Sequence, residues 1–210
     1  MFTKTLLPDT FRAIKLVSKI KTVKDSYLAG GTALALQLGH RISVDLDFFN
    51  GTKFVENSLS QELLELPEFT KEGSSWQTIW GKIGKTKFSF FYYKYPLIEK
   101  TLNFESIRLA DKKDIAAMKI HAIVERGTKR DFIDVYFLSQ EFSIDEMLNL
   151  YQKKYGVLNE HLYSIIRALS YFEDADREIM PKMIQETDWE SVRSFFQKEA
   201  LRLGKKHLRK

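Results

Sequence analysis

No cysteine occurs among the 210 residues, which excludes disulfides and thiolate-held metals and is compatible with an intracellular setting. No apolar run approaches the roughly 20 residues of a membrane span. The opening stretch "MFTKTLLPDTFRAIKLVSKI" is broken by Lys4, Pro8, Asp9, Arg12 and Lys15, so it lacks the apolar core of a signal peptide. Four histidines without ligand spacing, His40 and His121 among them, speak against a histidine metal site. Internal repeats and low-complexity linkers are also missing. A soluble cytoplasmic protein that makes no use of a membrane is expected.

What is present suits a folded chain, since 44% apolar and 29% charged residues lie far from the composition of disorder. The net charge of +5 is partly concentrated in "LRLGKKHLRK", where Arg202, Lys205, Lys206, Arg209 and Lys210 lie close together. Such a tail favours polyanions such as RNA through counterion release, although many ordinary proteins share it.

Helical spacing of Phe11, Ile14, Leu16, Val17, Ile20 and Val23 predicts a helix over 10–24. After "LAGG" a short helix is expected from Thr32, its cap, to Gly39, its stop. "RISVDLDFF" alternates and reads as a strand. A helix over 58–66 follows, then "WQTIWGK" and "TKFSFFYY" form a β-hairpin around "IGK". This aromatic cluster reads as core rather than a base-stacking platform. From Asp111 onward every segment has helical periodicity. A mixed α/β part at about 1–105 and a helical part at 106–210 are predicted, hence an α+β protein with a small mixed sheet flanked by helices.

In "RISVDLDFF" a period of two sets Arg41, Ser43, Asp45 and Asp47 on one face, and Ile42, Val44, Leu46 and Phe48 on the core face. Carboxylates at i and i+2 start roughly 7 Å apart. Two near carboxylates repel unless a cation intervenes, and oxygen ligands suit Mg²⁺, usually held by one or two carboxylates plus substrate phosphates. An exposed edge strand whose polar face meets only water is the alternative. Upstream, Gly30 and Gly31 follow an apolar lead and precede a helix start, where backbone N–H groups can cradle phosphate and missing side chains permit close approach. Most Gly-Gly pairs, however, only mark turns.

Taken together, "AGGT", an intervening helix and "VDLDFF" resemble the DNA polymerase β-like nucleotidyltransferases. More narrowly, "LAGGTALALQLGHRISVDLDFF" resembles the AbiEii/AbiGii toxin family of nucleotidyltransferases. "DKKDIAAMKIHAIVERGTKRDFIDVYFL" is similar to that family's later motifs, and "LSYFEDADRE…PKMI…DWESV" to its C-terminal helices. The resemblance implies a polymerase β-like core and a helical C-terminal domain that completes the active site.

It further implies a toxin that uses a nucleoside triphosphate and Mg²⁺ held by Asp45 and Asp47. Gly30, Gly31 and Thr32 would bind phosphates, and Arg41 and Ser43 would bind nucleotide or steady the aspartates. Lys119 takes the family's lysine position, while Arg130, Asp131 and Asp134 take its Lys/Arg-Asp-x-x-Asp. Arg126 and Arg130 bracket the turn "ERGTKR" and are candidates for phosphate or the acceptor strand. An RNA acceptor, specifically the tRNA 3′ end, and a cognate antitoxin encoded nearby are the implied partners.

The residues themselves are consistent with these roles and with blander ones. Lys119 shares a helical stripe with Ile115, Ala122 and Ile123, so it either snorkels or is held for a partner. Asp131 can simply cap a helix. Asp134 lies among large apolar residues, where a carboxylate needs a partner, and Lys119 is the natural one. One departure stands out: 76–98 contains no Asp or Glu, whereas many polymerase β-like enzymes place a third carboxylate on a later strand. A non-catalytic nucleotide-binding module, which that departure favours, and an antibiotic-modifying nucleotidyltransferase, which would use the same Gly-Gly and Asp-x-Asp logic, are the competing readings.

Overall fold

Apolar periodicity alternates between two and 3.6 residues in the first half of the chain and stays near 3.6 in the second. The architecture follows that change. The computed structural model describes residues 1–207. Arg209 and Lys210 of the basic tail lie outside the described residues. Internal contacts divide the chain into two compact units, Met1–Asp111 and Lys112 onward.

In the first unit a short 3₁₀ turn (Thr3–Thr5) leads to α1 (Pro8–Val17), α2 (Lys21–Lys24), β1 (Tyr27–Ala29), α3 (Gly30–Leu38), β2 (Leu46–Asn50) and α4 (Glu56–Leu64). Five strands follow: β3 (Phe69–Ser75), β4 (Thr78–Ile83), β5 (Thr86–Tyr92), β6 (Leu102–Phe104) and β7 (Ile107–Leu109). They form one seven-stranded sheet in the order β3-β4-β5-β2-β1-β7-β6. The sheet is mixed, because β2–β5 and β1–β7 are parallel while β1–β2 is antiparallel.

β2 lies near the middle and shows why. Leu46 and Phe48 are fully buried on one face, Phe48 against Phe88 with ring centroids 5.7 Å apart. Asp47 and Phe49 alternate onto the other face and are half-buried. α3 is apolar all round, with Ala33, Leu34, Ala35 and Leu36 all buried, as expected of a core helix. It stops at Gly39, whose φ of +71° suits glycine and whose Cβ, if present, would meet the Phe2 ring at 2.8 Å.

Several expectations change. The helix expected over 10–24 breaks after Val17, where Ser18 Oγ donates to the Lys15 carbonyl in competition with the helical pattern. Thr32 is not a cap, since α3 already begins at Gly30. The strand begins only at Leu46; before it Arg41 and Ser43 are buried, while Ile42 and Val44 are half-exposed. Segment 42–45 leaves the ladder because the Ser43 N–H donates to the Thr5 carbonyl and the Asp45 carbonyl accepts from Thr32.

The hairpin does turn at Gly84 and Lys85, with Ile83 opposite Thr86 and Gly84 at φ +57°. Its aromatics divide. Phe88 and Phe90 are core, whereas Trp76 is 68% exposed. β3 escaped prediction because only Phe69 in it is buried. β6 and β7 escaped it as three-residue strands. β7 pairs with β1 (Leu28 opposite Leu109), which carries the first unit past 105 to Asp111.

The second unit comprises α5 (Lys112–Glu125), α6 (Lys129–Leu138), α7 (Ile144–Tyr155), α8 (Leu158–Ala168), α9 (Glu173–Arg177) and α10 (Trp189–His207). α5 packs against α6, α7 and α8. Phe132 of α6 meets Phe172, Trp189 and Phe196 at centroid separations of 5.1, 5.9 and 5.0 Å. A Ser143/Glu146 capping box starts α7. Among the described residues no helix is long and apolar enough to cross a membrane.

Inside this core Lys154 of α7 donates to Asp114 of α5 at 2.7 Å, and both side chains are fully buried. Desolvating two ions is costly, and removing one partner strands the other. Asp114→Leu is expected to cost about 3–5 kcal/mol, and Asp114→Leu with Lys154→Met much less than either single change, read from urea unfolding midpoints.

Candidate active site

β1 runs straight into α3 with no loop, and Gly30 makes the turn at φ +69°. Ala29 lies opposite Asp47 across the β1–β2 ladder. A Cβ on Gly30 would sit 3.3 Å from Asp47 Oδ2, and one on Gly31 only 2.4 Å from Arg41 Nη2 and 3.2 Å from Ser43 Oγ. Two side chains lie close against the glycine pair, a carboxylate against Gly30, whose φ of +69° itself favours glycine, and a guanidinium against Gly31. At Gly31 the vacated space serves Arg41 rather than a ligand.

Thr32 secures the neighbouring segment. Its hydroxyl donates to the Asp45 carbonyl at 2.5 Å and lies 2.9 Å from Ser43 Oγ. Arg41 Nη1 donates to the Ile42 carbonyl at 3.2 Å. Gly30, Gly31, Thr32, Arg41, Ser43 and Asp47 therefore gather around the start of α3, and Thr32 tethers the backbone of Asp45 to it. The helix start has no side-chain cap, so its first N–H groups suit an anion.

A third carboxylate does not come from the neighbouring strands. Ser89 of β5 lies beside Asp47, and Trp80 of β4 beside Ser89. Among the described residues no group of three or more His, Cys, Asp or Glu is arranged to hold a metal. The Asp47 carboxylate beside an uncapped helix start, with the Asp45 backbone tethered to the same helix, still fits Mg²⁺ as it is usually bound, by one or two carboxylates together with substrate phosphates rather than in an all-protein cage.

The helical unit holds the second constellation. Thr128 caps α6, its Oγ1 accepting from the Asp131 N–H and donating to Asp131 Oδ2 at 2.6 Å. Thr128, not Asp131, is therefore the cap, and "TKRD" resembles the spacing of a capping box with Asp in the last position. Sequence reading overlooked Thr128 although that spacing marks it. Lys119 Nζ lies 2.9 Å from Asp131 Oδ1 and 2.6 Å from Asp134 Oδ2, both carboxylates fully buried. Arg126 grips Asp131 twice, Nε to Oδ2 at 2.8 Å and Nη2 to Oδ1 at 3.0 Å.

Two buried carboxylates thus face two cations. Lys119 is shielded between them, whereas the Arg126 side chain is 62% exposed and Arg130 is exposed at the surface. Lys129, not singled out from the sequence, is buried, donates to the Glu178 carbonyl at 2.5 Å and lies 5.0 Å from the Trp189 ring centre.

The sequence profile described as nucleotidyl transferase AbiEii toxin, type IV toxin–antitoxin system, matches residues 22–102 and 96–209. The chain belongs to the AbiEii toxin family. This AbiEii protein is accordingly a nucleotidyltransferase that uses a nucleoside triphosphate and has an antitoxin as partner. An uncharacterised protein of Aquifex aeolicus (strain VF5) is 38% identical over 202 residues, 93% of this chain and 96% of that protein.

Among solved structures, JHP933 from Helicobacter pylori aligns at 21% identity with a TM-score of 0.54, covering 94% of this chain and 90% of that one. MenT4, a nucleotidyltransferase toxin of Mycobacterium tuberculosis H37Rv, aligns at 13% identity with a TM-score of 0.52, covering 93% and 85%. At these identities the likeness concerns the fold.

The ion cluster of the AbiEii protein has a consequence for stability. Burial alone would push the Asp131 carboxyl up, but the Lys119 charge, the Arg126 hydrogen bonds and charge, and the Thr128 hydroxyl outweigh it and hold it well below its ordinary value. The stabilisation is complete above the unfolded carboxylate value of about 4 and is lost as pH falls through the depressed folded value. Asp131→Asn is expected to lower stability near neutrality by about 3 kcal/mol and to flatten the decline below about pH 5, measured by urea denaturation across pH.

Proposed function

We propose that this protein transfers a nucleoside monophosphate from a triphosphate to an RNA acceptor, the tRNA 3′ end in particular, with Mg²⁺ present. Nucleotides added there would block aminoacylation and arrest translation in the cytoplasm. The observation that supports the reading best is the α3 start: two glycines whose backbone is uncapped, with the Asp47 carboxylate against the first. Phosphate and metal-binding oxygens would share that corner.

In this reading the N–H groups of Gly30, Gly31 and Thr32 receive the phosphates, and Asp45 and Asp47 hold the metal. Bound Mg²⁺ would neutralise the triphosphate and polarise the α-phosphate. Arg41 and Ser43 keep the segment before Asp45 packed against the helix start. The acceptor hydroxyl oxygen bonds to the α-phosphorus, its proton passes to one of the two carboxylates, and the α–β bridging bond breaks to release pyrophosphate.

Roles for the helical unit are a separate part of the proposal and rest on the family resemblance. Lys119, Arg126 and Arg130 contact phosphate, and Asp131 and Asp134 position Lys119. Of these cations Lys119 is shielded between two carboxylates, whereas the Arg126 and Arg130 side chains are the exposed ones.

Purified protein incubated with total tRNA, each labelled triphosphate in turn and Mg²⁺ is expected to label tRNA. Chelation with EDTA should abolish labelling, and Asp45→Ala or Asp47→Ala should lower it by on the order of 10³-fold or more with circular dichroism unchanged. Absence of RNA labelling by the wild type in every mixture would sink the acceptor assignment, and labelling only of a small molecule would replace it.

A further inference from the structure

The helical unit contains a cavity that the transfer step proposed above touches only through Arg126. It measures about 570 Å³ and lies between the end of α5 with its following loop, α8, and the start of α9. Glu125, Arg126, Tyr163, Arg167, Tyr171 and Asp174 are among its lining residues. A second cavity of about 340 Å³ extends toward α10 and shares Tyr163 and Arg167. These two stand one turn apart on α8 and form the ridge between the cavities.

We propose that this double cavity binds the unpaired end of the RNA acceptor, bases stacking on Tyr163 and Tyr171 and phosphates meeting Arg126 and Arg167. The proposal rests on the RNA-acceptor reading above. Tyr163 is 63% exposed and Tyr171 53%, so two large rings stand uncovered at the rim of one concavity. Such rings supply the sequence-tolerant stacking that single strands use, whereas a duplex keeps its base faces hidden.

The cations are prepared for the same ligand. Arg167 forms no ion pair or hydrogen bond through its side chain among the described residues. Arg126 is held in one orientation by its two bonds to Asp131, yet most of its side chain is exposed. Two guanidiniums are balanced by Glu125 and Asp174. That balance is poorly suited to a triphosphate, but it suits a nucleotide unit of a strand, whose phosphate takes a guanidinium while its base amino groups and 2′-hydroxyl donate to the carboxylates.

The test uses the full chain carrying Asp45→Ala, so that binding is read without turnover. A fluorescein-labelled single-stranded RNA of about 12 nucleotides with a free 3′ hydroxyl is titrated by anisotropy. Tyr163→Ala and Arg167→Ala, each added separately, are expected to weaken binding about tenfold, and Tyr163→Phe to leave it nearly unchanged. Both positions are exposed, so thermal unfolding should stay at the parent value. Unchanged affinity in both variants, or a blunt duplex bound as tightly as the single strand, overturns the proposal. So does unchanged RNA binding with lost neutralisation by the antitoxin, which would assign the cavity to a protein.

With Asp45 intact, Tyr163→Ala should raise KM for RNA with kcat retained. Labelling of RNA with an unaltered KM overturns the cavity assignment alone. A wild type that labels no RNA removes the acceptor reading instead, and the titration still decides the cavity.

Discussion

The corner where β1 becomes α3 is governed by close approach. Two residues without side chains let the Asp47 carboxylate and the Arg41 guanidinium lie against helical backbone, where any Cβ would collide or be strained. The rest of the first unit follows from this. β1 must enter the helix without a loop, β2 must pair with β1 in the register that puts Asp47 opposite Ala29, and β5 must flank β2 from the other side. Three hydrogen-bonded strands of apolar sequence hold that register. A slip of one residue would bury Asp47 and expose Phe48.

The helical unit solves a different problem, that of keeping charge inside a core. Lys154 with Asp114, and Lys119 with Asp131 and Asp134, each tie α5 to a neighbouring helix by buried ion pairs. Such pairs add little net stability over apolar packing, because desolvation consumes most of the attraction, but they penalise any packing that separates the partners. They fix which residues of α5 face α6 and α7. The larger cluster reaches solvent at Arg126, whose side chain is 62% exposed.

Much of this was legible in the residues themselves. The α3 stop at Gly39, the hairpin turn at Gly84 and the pairing of Asp134 with Lys119 follow from positive-φ glycine, loop length and the cost of an unpaired buried carboxylate. Other features were not. Alternation over 41–49 suggested one strand, yet Arg41 and Ser43 are buried by a neighbouring helix start and a 3₁₀ turn, partners that periodicity along one segment does not reveal. β3 is legible only from its neighbour β4, since its own sequence is polar. The double cavity on α8 was equally silent, because Tyr163 and Arg167 look like an ordinary exposed face until α9 and α10 are placed beside them.

The late start of β2 also changes what the two aspartates are. Had the strand begun at Arg41, Asp45 and Asp47 would be equivalent, both fixed by the ladder at a spacing set by the pleat. Instead Asp47 lies in the ladder with strands on both sides, and Asp45 precedes it, its carbonyl accepting from the Thr32 hydroxyl. Thr32 belongs to the same helix whose first N–H groups face the proposed phosphates. A ligand that draws on the start of α3 therefore acts on Asp47 through direct proximity to Gly30, and on Asp45 through the Thr32 tether. One aspartate is set by the ladder, and the backbone of the other is joined to the helix start where phosphate is proposed to bind. That asymmetry suits a metal completed by substrate, which a fixed all-protein cage would not require.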